Sequence, residues 1–334
     1  MATQVGVSVI VPCHNAADFL SDALRSVAGQ SFSDFECLII DDGSTDDSVS
    51  VAADFIGSDA RFRLIELPTN RGAAAARNAG LADACGRWVT LLDADDLYLP
   101  DRLERLVALG EARQADMVID DLIVTKFPNI TPLHRAFGFS GERDFSQEDF
   151  FRRSRVFRPS MAAGYIQPLM RRDLLDRIGA RYDPSVPSGE DFLFYGHLFS
   201  TRPRCLATDY AGYVYRQRPG SLSQVDTHLH VHADQSARLA REFGGSLSGT
   251  SRKALSDRAR DFRRLADAWP ALSGVRRKHW LEVAGQLAAH PGIIATGLAL
   301  LGSKLGRRFG AHFRPGRSST AALAGDYLTP NVRN

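Results

Sequence analysis

Cysteine and lysine are both scarce in this 334-residue chain, at four residues each beside 37 arginines. Cys13, Cys37, Cys85 and Cys205 lie 24, 48 and 120 residues apart, with no C-x-x-C pair and no histidine at zinc-ligand spacing. This excludes a disulfide framework and a cysteine zinc site, and a reducing cytoplasm is the expected compartment. So little lysine beside so much arginine points to a GC-rich bacterial genome. Long apolar runs are missing as well. The longest charge-free one, Gly292 to Gly302, falls far short of the ~20 residues that span a bilayer, so no transmembrane helix is expected. The opening MATQVGVSVIVPC lacks a basic leader and a sufficient hydrophobic stretch, and reads as a strand rather than a signal peptide. With 44% hydrophobic and 24% charged residues, disordered and fibrous classes are excluded too.

A length of 334 residues favours two structural units, or one large unit with an appendage. The formal net charge of +2 hides an asymmetry of sign. Residues 1–226 carry 24 Lys and Arg against 32 Asp and Glu, net −8, whereas residues 227–334 carry 17 against 7, net +10. An acidic front cannot cradle phosphates by side-chain charge alone, so a divalent cation is expected as intermediary, and nucleic acid is not an expected partner. A basic rear suits an anionic surface.

The hydrophobic pattern alternates between strands and helices. Val7–Val11 is a continuous apolar run of the kind covered on both faces in a parallel sheet, Phe35–Ile40 reads as a second buried strand, and Phe62–Leu67 and Trp88–Leu92 read as further strands. Between them, Phe19, Leu20, Ala23, Leu24 and Val27 recur at helical spacing, a helix reaches about Ile56, and another covers Gly72–Ala84. Pro100 suits the first position of a helix reaching about Arg113, Met117–Ile119 suits a strand, and the pattern blurs from Leu122 to Pro159. A helix at Arg172–Ile178, a strand around Tyr213–Tyr215 and helical sequence thereafter complete an α/β chain.

In open parallel sheets ligands bind beyond the carboxyl ends of the strands. Here those segments are Pro12-Cys13-His14-Asn15, Asp41 to Asp46, Asn70-Arg71-Gly72 and Asp93-Ala94-Asp95-Asp96. Neither a G-x-G-x-x-G after the first strand nor a P-loop is present, so a nucleotide must be held differently. Asp41 or Asp42 can accept from a uracil or thymine N3–H or from ribose hydroxyls; an acidic turn that caps a helix is the alternative. Three carboxylates within Asp93–Asp96 repel one another unless a cation or donors compensate, and hard oxygen ligands select Mg²⁺ or Mn²⁺. Alternate residues of an extended segment face opposite ways, so one carboxylate can address a ribose and another a metal, although D-x-D also occurs in plain loops. His228, His230 and His232 present a metal-like spacing, with solvated surface as the alternative. Basic clusters at Arg276–Leu281 and Lys304–Phe309 flank apolar Ile293–Leu301, as in an interfacial anchor on anionic lipid; helices packed on the catalytic domain are the alternative.

Taken together, VSVIVPCHNAADFLSDALRSVAGQSFSDFECLIIDDGSTDDS, NRGAAAARNAG, GRWVTLLDADDLYLPDRL, GEDFLF and YRQRPGSLS resemble glycosyltransferase family 2 over residues 7 to 224. The resemblance implies a GT-A fold, a Rossmann-like and mostly parallel sheet flanked by helices, with a helical C-terminal extension. It implies residues 1–225 as catalytic domain, with a nucleotide-sugar half (1–120) and an acceptor half (121–225), followed by a basic helical region at 226–334. A nucleotide-diphosphate sugar, UDP-glucose first, a glycan acceptor carried on a polyprenyl lipid, and Mg²⁺ or Mn²⁺ are the implied partners.

Position by position, the resemblance puts Pro12, His14, Asn15 and Asp42 around the base, Arg77 near the nucleotide, Asp93 near the ribose and the metal, and Asp95 on the metal. Asp191 of Gly189-Glu190-Asp191 matches the general base, and Arg216 or Arg218, with Ser221, a late loop near the diphosphate. His14 stands where the family commonly has an aromatic, which implies weaker or pH-dependent stacking on the base. Residues 225–334 lack the Q-x-x-R-W and membrane helices of processive family members, which implies transfer of a single residue. The implied setting is a bacterial exopolysaccharide, of the succinoglycan type, assembled at the inner face of the membrane. A sugar nucleotidyltransferase or a catalytically inactive nucleotide-sugar-binding scaffold is the alternative.

Overall fold

Val7, Val9, Ile10 and Val11 are fully buried, so the first strand has no solvent face, as its unbroken apolar sequence predicts. The computed structural model describes residues 5–127, 129–156, 160–218 and 228–276. Its first half runs β1 (Val7–Cys13), α1 (Ala17–Ala28), β2 (Phe35–Asp41), α2 (Ser48–Ser58), β3 (Phe62–Glu66), α3 (Ala73–Asp83) and β4 (Trp88–Leu91). β1 pairs in parallel with β2, from Val7 opposite Phe35 to Cys13 opposite Asp41, and with β4 on its other side. This register places the carboxyl ends of β1, β2 and β4 along one edge.

Next come β5 (Leu97–Tyr98), α4 (Arg102–Ala112), β6 (Met117–Ile119), β7 (Leu122–Lys126), β8 (Asn129–Arg135), β9 (Arg143–Asp144) and α5 (Gln147–Arg153). The chain continues through a 3₁₀ turn at Ala163–Tyr165, β10 (Leu169–Arg171), α6 (Arg172–Ile178), α7 (Glu190–Ser200), β11 (Cys205–Ala207) and β12 (Tyr213–Gln217), ending with α8 (Leu229–Phe243) and α9 (Gly249–Arg276). The main sheet has the order β3-β2-β1-β4-β10-β6-β11-β9, with β10 antiparallel to both neighbours. A second sheet has the order β5-β12-β7-β8.

The segment that blurs in sequence, 122–159, forms the β7–β8 hairpin, β9 and α5. Asp121 organises its start by accepting the amides of Leu122, Phe137 and Phe139. The fourth helix begins at Arg102 rather than at Pro100. Residues 97–99 are held extended by β12, with the Leu99 amide on the Gly212 carbonyl, and the Pro100 carbonyl accepts from Ser31. Starting there, α4 delivers Arg102 into a fully buried ion pair with Asp120 at 2.8 Å. As far as residue 276, the helical rear expected after residue 226 is present as α8 and α9; Leu239, Ala254 and Leu255 of these helices and Leu247 between them belong to the same continuous core as β1. The basic cluster at 276–281 beyond its first residue, the cluster at 304–309, the apolar stretch 293–301 and Ser221 lie outside the described residues. Among the described residues, no helix is long and apolar enough to cross a membrane, and the four cysteines are free.

Candidate active site

At the edge where β1, β2 and β4 end, two loops are stapled together before any ligand arrives. Asn15 adopts a left-handed conformation (φ 48°), and its Oδ1 accepts the Thr45 amide at 2.8 Å while its own amide donates to Ser44. Asp46 and Ser48 accept the amides of Ala17 and Ala16, which cap α1 from the neighbouring loop. Gly43 has φ +67°, and a Cβ there would stand 2.7 Å from the Asn70 nitrogen. Only glycine therefore lets the third loop close on the second.

Asp41 and Asp42, alternatives in the sequence, differ sharply in the structure. Asp42 is buried, and its two oxygens accept the amides of Arg71 and Gly72 at 2.8 and 2.7 Å. Asp41 accepts the Ser44 amide through Oδ2, and its buried Oδ1 has no partner among the described residues. An orphaned acceptor at a strand end is where an N–H or hydroxyl of a ligand would be accommodated. Pro12 is half-buried on β1, and His14 is exposed with Nε2 3.3 Å from the Asn15 amide nitrogen.

Arg77 lies beneath these loops. It is 6% exposed on α3, and donates to Asp93 Oδ1 at 3.1 Å and Glu190 Oε1 at 2.7 Å, with Asp191 Oδ1 at 3.4 Å. One guanidinium thus joins the β4 end to the start of α7, which lie 16 and 113 positions along the chain from Arg77. The next residue, Asn78, strengthens the same bridge by exchanging hydrogen bonds with the Tyr182 backbone at 2.8 and 2.9 Å. Arg77 is the one charged residue before Asp83 on this alanine-rich helix, and it is buried there. Three carboxylates around one cation leave excess negative charge. Burial, with Glu190 and Asp93 nearby, raises Asp191 to about 7 despite Arg77, and burial with Asp95 and Glu190 raises Asp93.

Asp95 and Asp96 face the other wall. Asp96 is buried, accepts Tyr213 Oη at 2.7 Å and the Arg216 amide at 2.8 Å, and is raised well above the usual range by burial and by Asp95 and Asp93. Asp95 is partly open; its Oδ2 accepts from Arg218 Nε at 2.5 Å and its carbonyl from Arg216 Nε at 2.5 Å. Arg218 lies over the Phe19 ring, 5.0 Å from the centroid. Arg216 is buried, and its Nη2 has no partner among the described residues. That unpaired donor suits an anionic group entering the site.

The donor set fits a divalent cation. Asp93 and Asp95 offer hard carboxylate oxygens, and the five carboxylates of residues 93, 95, 96, 190 and 191 outnumber Arg77, Arg216 and Arg218. Among the described residues no group of three or more His, Cys, Asp or Glu could hold a metal ion. The protein would therefore supply one or two oxygens, and phosphates with water the remainder, which is the mode Mg²⁺ favours. The histidine triplet is no such group: His232 is buried and stacks on Phe262 at 4.7 Å, while His228 and His230 are exposed.

Sequence reading missed one surface feature at this mouth. Tyr165 is 40% exposed, and its ring centroid lies 6.5 Å from that of Tyr215, two residues along β12 from Tyr213. The preceding Gly164 lies close to Phe192, the residue after Asp191: a Cβ on it would sit 3.5 Å from Phe192 Cβ.

A sequence model of Glycosyl transferase family 2 matches residues 8–179, just over half of the chain. The succinoglycan biosynthesis protein ExoO of Rhizobium meliloti (strain 1021) is 32% identical over 263 residues, 77% of this chain and 74% of that protein. ExoU of the same organism is 28% identical over 335 residues, covering 97% and 94%. Among solved structures, S. aureus TarS 1–349 in complex with UDP-GlcNAc has a TM-score of 0.66 at 18% identity, covering 92% of this chain and 93% of that one. The mannosyltransferase PcManGT from Pyrobaculum calidifontis, in complex with GDP-Man and Mn²⁺, has a TM-score of 0.57 at 21% identity, covering 98% and 86%. At those identities the structures speak to the GT-A fold alone, whereas the family match and the similarity to ExoO speak to descent. The sheet order and the acidic strand ends thus have a single parentage, and the chain is a glycosyltransferase belonging to family 2.

Proposed function

We propose that the chain transfers one sugar, glucose in the first instance, from a UDP-sugar to a hydroxyl of a growing bacterial exopolysaccharide, with inversion at the anomeric carbon. The observation that carries this reading is Arg77, whose single guanidinium gathers Asp93, Glu190 and Asp191 and so joins a donor-binding end to a proton-accepting end. The similarity to ExoO and ExoU, both named for succinoglycan biosynthesis, supports the setting, and TarS with UDP-GlcNAc supports the donor class.

In this reading Asp191 accepts the proton of the acceptor hydroxyl as its oxygen bonds to the anomeric carbon and the bond from that carbon to the diphosphate breaks. A carboxylate titrating near 7 is well matched to that task. Asp95, with Asp93 beside it, would hold Mg²⁺ or Mn²⁺, whose chemistry there is neutralisation of the departing diphosphate. Arg216 and Arg218 add positive charge at the same place. Asp41 or Asp42, Pro12 and His14 would line the base. Asn15 would serve it indirectly, since its oxygen is already committed to Thr45.

The test is a panel of UDP- and dTDP-sugars scored for Mn²⁺-dependent protection against unfolding, followed by transfer to free and polyprenyl-linked oligosaccharide acceptors. Protection by a UDP-sugar that requires the metal is expected; protection by none would sink the reading.

Tyr165 supplies an aromatic face for the acceptor, because a pyranose presents a sheet of C–H groups that packs on such rings. Tyr165→Ala is expected to raise the acceptor KM by ~3- to 10-fold, from the typical worth of an aromatic contact, with UDP affinity unchanged. An unchanged acceptor KM would remove Tyr165 from the acceptor site.

A further inference from the structure

The family match ends at residue 179, yet the proposed base lies at 191 and is flanked by contacts from the C-terminal helices. On one side, Gln235 of α8 is 3% exposed and donates through Nε2 to the Ser188 carbonyl at 2.6 Å. Immediately after it, Gly189 has φ +75° and caps α7; a Cβ there would meet His232 at 2.7 Å and Gln235 Oε1 at 2.8 Å. The helix therefore lies directly against the backbone of the base loop, a closeness that glycine alone permits.

On the other side of Asp191, the Arg258 guanidinium of α9 sits 3.5 Å from the centroid of the Phe192 ring. Arg258 is itself fixed by the His232 carbonyl and Ser236 Oγ, each at 2.7 Å, and by the Ser154 carbonyl at 3.0 Å. Asp191 thus lies within the five-residue segment 188–192, held before and after by one helical hairpin. Arg77 holds the same segment from beneath. Side chains that reach a reacting atom through a fixed loop gain their precision from such outer contacts.

We infer that Gln235 is a positioning residue for transfer: by holding Ser188 and Gly189 it sets the angle at which Asp191 meets the acceptor hydroxyl, and this makes α8 and α9 part of the catalytic unit. The inference rests on Asp191 being the base. Gln235, its Oε1 3.3 Å from His232 Nδ1 and its Nε2 on the Ser188 carbonyl, is a buried polar group on an element outside the family match, where an apolar side chain could cover the loop without needing partners.

The experiment compares the full chain with Gln235→Asn, which stays polar but falls short of the carbonyl, and Gln235→Met, which fills the space without a donor. Each is made in the wild-type and in the Asp191→Asn background. Expected are a ~10- to 10²-fold fall in kcat, as for small displacements of a catalytic group, and an unchanged UDP dissociation constant in the presence of Mn²⁺. In the Asp191→Asn background the same changes should cost nothing further, because there is no base left to aim. Equal losses in both backgrounds, or a wild-type kcat in the variants, would overturn the role of Gln235. A wild-type rate in Asp191→Asn alone would instead remove the base reading on which it rests. Should one Gln235 variant fail to bind UDP, the other decides the question; loss of UDP binding in both counts against positioning and for a purely structural contact.

Discussion

Asp191→Asn is expected to slow transfer by ~10² to 10⁴-fold while leaving UDP binding intact, the range typical when a general base is removed. The amide keeps the size of the carboxylate and its place beside Arg77, but it cannot take the acceptor's proton. Single-turnover rates with a bound UDP-sugar, together with UDP titrations, separate the two effects. A near wild-type rate would move the role to another carboxylate, Glu190 first, which already accepts Arg77 at 2.7 Å. The pH dependence gives a second, independent readout. Burial, offset by Arg77 and reinforced by Glu190 and Asp93, brings Asp191 to about 7, and only its deprotonated form can act as base. The rate should therefore climb with pH through the neutral region and level off above it, and the Asn variant should lose that limb.

How far this site could be read from sequence depended on the kind of residue involved. β1, β2 and β4 were legible because each is a mostly apolar run buried on both faces, and the acidic motifs at 41–46 and 93–96 follow β2 and β4. β5, β9 and β10 were not, being two or three residues long, with identities set by partners far away in the chain. Asp42 was legible as important but not in its role. Its carboxylate holds Arg71 and Gly72, a tertiary contact that no local pattern encodes. Arg77 was legible as a family position near the nucleotide, whereas its grip on Glu190 and Asp191 comes from a fold that brings residues 77 and 190 together. Gln235 gave no signal, because the carbonyl that its Nε2 holds lies 47 residues earlier in the chain.

Asp95→Ala is expected to abolish transfer, by at least the ~10² to 10³-fold that loss of one stabilising contact to a developing anion costs, and to uncouple UDP binding from Mn²⁺. In the structure Asp95 Oδ2 already holds a cation, the Arg218 guanidinium at 2.5 Å, with the two side chains 23% and 34% exposed. An ion pair that open contributes at most ~1 kcal/mol, so the ligand-free variant should unfold at nearly the wild-type temperature. A metal held by Asp95 would compete with Arg218 for that oxygen, and Arg218 would then offer its charge to the diphosphate. Wild-type protein at 100 times its UDP dissociation constant gains ~2.7 kcal/mol of stability, and with Mn²⁺ present this should appear as a clear rise in Tm. In Asp95→Ala the rise should be small and the same with Mn²⁺ or with EDTA. Arg218→Gln should behave oppositely with respect to the ion: freed of its competitor, Asp95 should take Mn²⁺ at lower concentration, while the affinity for UDP falls for want of a positive charge. Calorimetric titration of UDP with and without Mn²⁺ measures both variants on one scale. Metal-dependent UDP binding that survives intact in Asp95→Ala would place the cation elsewhere, with Asp93 as the remaining carboxylate to test.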